Sequence, residues 1–358
     1  MKWAALVFLV CGCACPPARP ERLRKVDVHT HFGPEAADRA MKLLAEHGID
    51  ACVNLSGGFP GGGLEQQLQT AARFPGRIFV FANLDWRLAA RHEDFGARMA
   101  GQLREAKRLG ARGLKIPKGL GLGYRDGAGE LIAVDDPRLD GVFETAGELG
   151  LPVAIHVADP VAFWQPVTPQ NERYAELSVH PNWSYAGEDV PSWEALFAAL
   201  TRRIARHPKT TFLSVHFGNA PEYPERVAAL LEAYPNLYVD TAARVPELGR
   251  YPAQKMRALF EKHRDRILFG TDLGVGREPS ALMLGSPGRE PPTAADVERF
   301  FKATWRYFET GDQGFEHPTP IQGEWKIDGI GLPKDVLRAV YAGNADRLLG
   351  ATPLPQAR

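Results

Sequence analysis

Two histidines lie two positions apart near the start of the chain, in the run VDVHTH at residues 26–31. The β-branched residues around them are typical of a strand, in which residues i and i+2 point to the same face. His29 and His31 are therefore expected to share one face, where two imidazoles can clamp a divalent metal ion. Taken alone, such a pair is a weak indication of a metal site.

Three other strand-like runs end in a residue that can bind metal or move a proton: His156 follows VAI, His216 follows FLSV and Asp272 follows ILFGT. A single histidine at a strand end is more often structural than a ligand, but several polar residues at equivalent ends argue against independent structural roles. Buried polar groups need partners, and a shared metal ion would supply them. The histidines in or beside predicted helices are expected at the surface: His47, His92, His207 and His263.

The elements that must position these residues alternate between residues 25 and 350. Short apolar, β-branched runs predict strands at 24–31, 51–55, 78–84, 113–116, 152–157, 211–216, 237–240 and 267–270. Longer amphipathic segments predict helices at 34–47, 64–74, 93–109, 137–149, 192–206, 223–233 and 253–262. Gly48, Gly110 and Gly150 follow three of these helices, as left-handed helix caps do.

Eight strands alternating with helices predict an α/β fold, a TIM (β/α)8 barrel with long loops on its C-terminal face. The long gaps at 117–136, 158–191 and 271–296 all follow strands, so they fall on the face where barrel active sites are built. A doubly wound open sheet is the alternative, but no G-x-G-x-x-G follows an early strand. Residues 299–341 are interpreted as an appended segment.

The composition bounds the class of protein. The chain has 358 residues, 43 Lys and Arg against 43 Asp and Glu, and 44% hydrophobic residues. This length allows several domains or one large barrel. The balanced charge argues against a nucleic-acid groove, which needs a basic face. We therefore expect a small-molecule substrate, and self-association of the chain is left open.

Three of the four cysteines lie in the first fifteen residues, MKWAALVFLVCGCAC. The apolar stretch after Lys2 is too short to span a bilayer but suits a signal peptide. The segment VCGC at 10–13 resembles a bacterial lipobox, which implies cleavage before Cys13 and lipidation of its thiol; an ordinary secretory signal is the alternative. We predict a signal peptide over 1–12, a linker over 13–24, the barrel over 25–350 and a tail over 351–358. The protein would be exported to the periplasm or cell envelope and touch the membrane only through its lipid anchor.

Taken together, D-x-H-x-H at 27–31, G-T-D at 270–272 and the single histidines after strands five and six resemble the amidohydrolase superfamily. The similar branch includes aminocarboxymuconate semialdehyde decarboxylase. The segments HVADP at 156–160, HFGN at 216–219 and YAGNA at 341–345 extend the resemblance over residues 25 to 350. It implies that one divalent metal ion is bound, Zn²⁺ first and Mn²⁺ or Fe²⁺ as alternatives, by His29, His31, His156 and Asp272.

The resemblance also implies a catalytic chemistry. His216 would lie beside a water that the metal activates, and His216 or Asp272 would act as general base in hydrolysis of an amide or ester bond of a small molecule. In decarboxylating members the same centre activates the substrate for loss of CO₂, so non-oxidative decarboxylation of a small carboxylic acid is the alternative. A non-catalytic binding lipoprotein is a further alternative, which the intact ligand set disfavours.

Weaker substrate candidates lie at the same rim. Lys115 ends strand four, and it is either carboxylated and bridges two metals or, as we prefer, an unmodified ammonium that faces substrate or a carboxylate. Asp240 ends strand seven and Arg244 follows it; the guanidinium could grip a substrate carboxylate or pair with Asp240. Trp164, in the loop after strand five, could line a pocket or belong to a satellite core.

Overall fold

A computed structural model describes residues 22–278 and 280–350. The predicted signal peptide, Cys13, most of the linker and the predicted tail lie outside the described residues. Within these ranges, no helix is both long enough and apolar enough to cross a membrane.

The centre of the fold is a parallel sheet whose first eight strands follow one another in chain order, β1 to β8. Their bounds are β1 Val26–Phe32, β2 Ala51–Asn54, β3 Ile78–Ala82, β4 Gly113–Ile116, β5 Val153–Ile155, β6 Phe212–Ser214, β7 Leu237–Asp240 and β8 Ile267–Leu268. The strands are buried along nearly their whole length, as expected of parallel strands covered on both faces. Apolar residues therefore predominate in most of these strands, and β1 is the exception because it buries Asp27, His29 and Thr30.

The sheet closes on itself between its first and last strands. Val28 N donates to Phe269 O at 3.0 Å, just beyond β8, and Asp272 N donates to His29 O at 2.9 Å. These two hydrogen bonds form a seam that joins β1 to the segment after β8. A parallel sheet of eight strands closed in this way is a TIM-like barrel, which confirms the predicted architecture.

Helices cover the outside of the barrel. Their bounds are α1 Ala37–Glu46, α2 Leu64–Ala71, α3 Phe95–Leu109, α4 Asp140–Glu148, α5 Tyr174–Val179, α6 Trp193–Arg206, the single turn α7 Val215–Gly218, α8 Pro224–Ala233, α9 Val245–Leu248, α10 Ala253–Lys262, α11 Ala294–Glu309, α12 Lys334–Arg338 and α13 Asn344–Leu349. A π-helical turn, 339–343, joins the last two. Gly48, Gly110 and Gly150 have positive φ, so the predicted left-handed helix ends are confirmed.

Two features after β8 differ from the predictions. Residues 271–296, expected as a loop, contain a hairpin of β9 (Leu273–Val275) and β10 (Leu282–Leu284) that extends the sheet beside β1. Helix α11 begins at Ala294 with a capping box of Thr293 and Asp296, and its Phe300 and Phe308 lie in the main core. The segment predicted as an appendage is therefore part of the barrel's outer layer. A small hairpin, β11 (Phe315–Glu316) and β12 (Lys326–Ile327), follows it.

Candidate metal centre and adjoining pocket

The seam between β1 and β8 brings three potential metal ligands together. His29 Nε2 lies 3.3 Å and His31 Nε2 lies 3.4 Å from the same oxygen, Asp272 Oδ1. All three ligand atoms lie within 4.8 Å of one another. His29 is buried, whereas His31 keeps 30% of its side chain exposed. The arrangement offers two imidazole nitrogens and one carboxylate oxygen to a single point, which suits a divalent metal ion.

The opposite nitrogen of each histidine is already engaged. His29 Nδ1 lies 2.9 Å from Asp240 Oδ2, and His31 Nδ1 lies 2.8 Å from Ser56 Oγ. Metal-binding histidines are held in this way by a second hydrogen bond, which fixes the tautomer and leaves the other nitrogen to the metal. Asp240 therefore lies behind His29. The sequence left open whether Asp240 pairs with Arg244. In the structure the Asp240 carboxylate is hydrogen bonded to His29 and to the backbone amides of His216 and Ala242.

The two remaining strand-end histidines lie together beside this group. The ring centroids of His156 and His216 are 4.3 Å apart, and those of His216 and His29 are 4.8 Å apart. His216 Nδ1 bonds to Ala242 O at 2.9 Å, while His156 Nε2 faces Ala158 O at 3.1 Å. His156 is therefore near the ligand group of His29, His31 and Asp272, but its ligand atoms lie outside the 4.8 Å cluster.

Several residues at this rim have left-handed backbone conformations, which are uncommon outside glycine. The φ angles are 53° at His216, 55° at Ala243 and 62° at Asp272. Such conformations cost free energy and persist only where surrounding contacts enforce them, often at functional sites. Here the turns redirect the chain directly after β6, β7 and β8, so that His216 and Asp272 point inward at the barrel mouth.

Burial controls the charge of these groups. It lowers the pKa of His31 and brings the pKa values of His156 and His216 well below their usual range, so these imidazoles are neutral near pH 7. Burial opposes ionisation of Asp272, but His29, His216 and His31 outweigh it and hold the pKa of that carboxyl well below its ordinary value. Neutral imidazoles and an ionised carboxylate are the forms that bind metal.

Asp27, the first residue of the D-x-H-x-H run, holds the seam in place. Its carboxylate accepts hydrogen bonds from His29 N at 3.0 Å and from Thr271 N at 3.1 Å, and the Thr271 hydroxyl donates to its other oxygen. Burial raises the pKa of Asp27 to about 7. Asp27 therefore ties the histidine strand to the segment that carries Asp272, a structural role that the sequence motif alone does not reveal.

Lys115 lies in the barrel interior at the end of β4. Its side chain is almost fully buried, and its Nζ has no hydrogen-bond partner among the described residues. Burial lowers the pKa of this lysine to about 8, against the opposing charges of Asp240 and Asp272. The Lys115 Nζ therefore lies in the barrel interior with Asp240 and Asp272 as its charged neighbours, and whether it is unmodified or carboxylated stays a prediction.

A small cavity, here called the inner pocket, opens beside His29, His31 and Asp272, which together are called the metal group. Its volume is about 130 Å³. Its lining includes His156, Asp159, Trp183, His216, Arg244, Asp272, Met283 and Pro287. Arg244 is buried; its Nη1 donates to Ala243 O and lies 3.7 Å from Glu247, and its Nε has no partner among the described residues. The pocket therefore contains a cation that can hold an anionic group.

The loop after β5 contributes Trp183, and not the predicted Trp164, to the inner pocket. Trp164 lies outside the inner pocket: its indole donates to Pro191 O and its ring packs on Tyr185. Trp183 lines the pocket instead. Lys118, in the loop after β4, forms an ion pair with Asp159 at the pocket wall. No local pattern distinguishes Trp183 from Trp164, and Lys118 lies 41 positions from its partner.

The amidohydrolase family model matches residues 64–351, most of the chain. The chain belongs to the amidohydrolase family. The match begins after His29 and His31, so these two candidate ligands lie outside the matched segment. No curated protein matches the sequence of this chain.

Solved structures resemble this amidohydrolase over nearly its whole length. A provisionally named amidohydrolase from Staphylococcus aureus has a TM-score of 0.53 and 15% identity, covering 92% of this chain and 100% of its own. A provisionally named 2-pyrone-4,6-dicarboxylic acid hydrolase from Acinetobacter baumannii, with citric acid bound, has a TM-score of 0.50 and 14% identity, covering 92% of this chain and 100% of its own. A 5-carboxyvanillate decarboxylase mutant from Novosphingobium aromaticivorans, with manganese bound, has a TM-score of 0.50 and 11% identity, covering 92% of this chain and 97% of its own. At these identities the likeness establishes a shared fold.

Proposed function

We propose that this amidohydrolase-family chain is a metal-dependent hydrolase that cleaves an amide or ester bond of a small carboxylate-bearing molecule. The convergence of His29, His31 and Asp272 on one point carries the proposal. Each histidine reaches that point with Nε2 because Asp240 or Ser56 engages its Nδ1. These two hydrogen bonds orient both imidazoles toward Asp272, which argues against a chance cluster of polar residues.

The donor chemistry fits zinc or manganese. Imidazole nitrogen and carboxylate oxygen are ligands of both ions, and His156 is the adjacent candidate for a fourth ligand. When bound, such an ion supplies Lewis acidity, which polarises a carbonyl group and acidifies water. Zinc was the first expectation from the sequence; manganese deserves equal testing because it is bound in the similar 5-carboxyvanillate decarboxylase.

The chain's own residues supply the remaining functions. Asp272 lies at the pocket beside His29 and His31, so its carboxylate would be the group that accepts a proton from water in hydrolysis. His216 is neutral, and with Nδ1 committed to Ala242 O, its Nε2 can exchange a hydrogen bond with the reacting group. Arg244 would hold a substrate carboxylate and so orient the scissile bond.

Decarboxylation of a small carboxylic acid is the second candidate, and the cations at the site are compatible with it. Arg244 lines the small pocket, and Lys115 lies under the site with Asp240 and Asp272 among its charged neighbours. Both cations suit a carboxylate, whether that carboxylate is retained or lost as CO₂. The similar structures include one named as a hydrolase and one named as a decarboxylase. Their low identity leaves the choice to experiment.

Product analysis separates the two reactions. Protein loaded separately with Zn²⁺ and Mn²⁺ is incubated in H₂¹⁸O with a panel of small amides, esters and aromatic or aliphatic acids. Hydrolysis places ¹⁸O in the acid product, whereas decarboxylation releases CO₂ and leaves a product lacking the carboxyl group. CO₂ release without any hydrolysed product would refute the hydrolase assignment.

Matched variants test whether the metal group carries the reaction. Asp272→Asn and His29→Ala should abolish turnover. Asp94→Asn, which removes an exposed carboxylate at the start of α3, should retain it. If the purified protein binds neither ion and the two site variants behave like the parent protein, the chain is a binding protein instead of an enzyme.

We also propose that the protein is exported and anchored through Cys13, on the strength of the leader sequence. Metabolic labelling with a radioactive fatty acid in a bacterial host tests this. Label should enter the parent protein and be lost in Cys13→Ser; equal labelling of both would refute lipidation at this cysteine.

A further inference from the structure

A second, larger cavity adjoins the ligand group of His29, His31 and Asp272, with His31 in its lining. This hairpin groove lies along β9 and β10 and has a volume of about 580 Å³. Its lining includes His31, Phe32, Val275, Leu282, Met283 and Pro287. Since His31 lines the groove and Asp272 lines the inner pocket, the two cavities flank a single contact of 3.4 Å between those residues.

Met283 and Pro287 line both cavities and therefore form the wall between them. Met283 is only partly buried, on β10, and packs over Gly274 of β9. Methionine has an unbranched, flexible side chain that adapts to irregular shapes. The Met283 side of the wall can therefore move when a ligand occupies both cavities.

The two cavities differ in chemistry. The inner pocket is lined by charged residues, the cations Lys118 and Arg244 and the carboxylates Asp159, Glu176 and Asp272, whereas the walls of the groove are mainly apolar. The charged residues of the groove, Arg289 and Glu290, are exposed at its outer edge. The metal group therefore separates a polar compartment from an apolar one.

The small size of the inner pocket limits what it can hold. Cavities of roughly 150 Å³ hold a single benzene molecule, so a pocket of about 130 Å³ accepts little more than a carboxylate and a few attached atoms. A larger substrate must extend past the metal group. The groove is the adjoining space, and its walls favour hydrocarbon.

From these observations we infer that the substrate is amphipathic, with its carboxylate in the inner pocket facing Arg244 and a hydrocarbon group in the hairpin groove. The bond to be cleaved lies between the two, at the metal group. This inference rests on the proposed function, because it takes His29, His31 and Asp272 as the reaction centre. It narrows the substrate class to amides or esters that join a carboxylate-bearing half to an apolar half.

Binding of straight-chain acids tests the inference without requiring turnover. Butyrate, hexanoate and octanoate are titrated calorimetrically into the metal-loaded full chain. Affinity should rise by about twofold to fourfold per added methylene, the upper value corresponding to full burial at about 0.8 kcal/mol per CH₂. Equal affinity for all three acids would overturn the inference.

Variants show which residues produce the gain in affinity per methylene. Leu282→Ser removes apolar wall and Leu282→Trp fills the groove, so both should reduce the gain per methylene. Arg244→Gln should weaken all three acids by a common factor and leave that gain intact, because it acts on the other end of the ligand. Val167→Ser, which changes an exposed apolar residue elsewhere, is the matched control and should change neither quantity.

The outcomes separate this inference from the proposed function. If turnover depends on Asp272 but chain length has no effect on binding, the hydrolase stands and the amphipathic substrate fails. If chain length matters while His29→Ala and Asp272→Asn leave turnover unchanged, the proposed function fails. If Leu282→Ser instead converts an oligomer to a monomer on size exclusion and leaves the chain-length dependence unchanged, the groove is a contact with a second copy, and the inference is overturned.

Discussion

Asp240→Asn is a sharp test of the metal centre because it changes one atom type at a fully buried position. The carboxylate accepts hydrogen bonds from His216 N at 2.8 Å and from Ala242 N at 3.1 Å through Oδ1, and Oδ2 lies 2.9 Å from His29 Nδ1. An asparagine carbonyl can keep both backbone donors. Its amide then faces His29 Nδ1 and, being a donor, forces that nitrogen to become the acceptor.

The magnitude follows from this change of tautomer. With Nδ1 as acceptor, the His29 proton moves to Nε2, the atom that faces Asp272 Oδ1 at 3.3 Å and would bind the metal. Loss of such a supporting hydrogen bond typically lowers metal affinity by about 10- to 100-fold, equivalent to about 1.4–2.7 kcal/mol. The free energy of unfolding of the metal-free protein should change much less, since the backbone hydrogen bonds are retained.

Zinc and manganese affinities are measured at pH 7.5 by competition with a chelating dye, and metal-free stability by urea unfolding. Asp136→Asn is the control: it also removes a buried carboxylate, but one that pairs with Arg138 and contacts none of the histidines at the candidate metal centre. If Asp240→Asn binds metal as tightly as the parent protein, His29 Nε2 is not a ligand and our assignment of the centre is incorrect.

Three further predictions concern stability and reactivity. Lys115→Met should stabilise the metal-free protein by about 3 kcal/mol near pH 7, the free energy that separates a pKa of 10.5 from one of about 8. Because only the unfolded chain keeps this proton between those pH values, the parent protein gains stability as pH rises from 8 to 10.5, and urea unfolding should find a smaller benefit of the variant at pH 9.5 than at pH 7.5. Gly96→Ala should destabilise by about 1–3 kcal/mol, since the new Cβ would meet the backbone oxygen of Arg138 at 1.8 Å; an unchanged thermal midpoint would contradict this packing. Burial raises the pKa of Cys52 to about 12, so mass spectrometry should find its peptide unmodified by iodoacetamide in the native protein and alkylated in urea.

The barrel and the location of its site were predictable because both depend on local patterns. Parallel strands that are covered on both faces must be runs of apolar residues, and their carboxyl ends all reach one rim. The polar residues that end those runs, such as His156 and His216, therefore had to lie near one another. This reasoning places side chains at a rim but does not determine which atoms face each other.

Long-range pairing accounts for what the sequence did not predict. The sequence suggested Arg244, four positions away, as a partner of Asp240, but the Asp240 carboxylate is hydrogen bonded to His29, 211 positions away. His207 was expected at the surface and is buried, because Asp140 and Arg203 provide polar partners within the packed interface of two helices. His263 was likewise expected at the surface and is buried. Helical periodicity reports the side of one helix, and it cannot report what a second helix supplies.

The seam that closes the barrel also determines when the site can exist during biosynthesis. Asp27 and Thr271, which the seam joins, are 244 positions apart. His29 and His31 are therefore synthesised long before Asp272, and a chain that ends before residue 272 carries only part of the proposed ligand set. The proposed metal centre would be complete only in chains synthesised past residue 272.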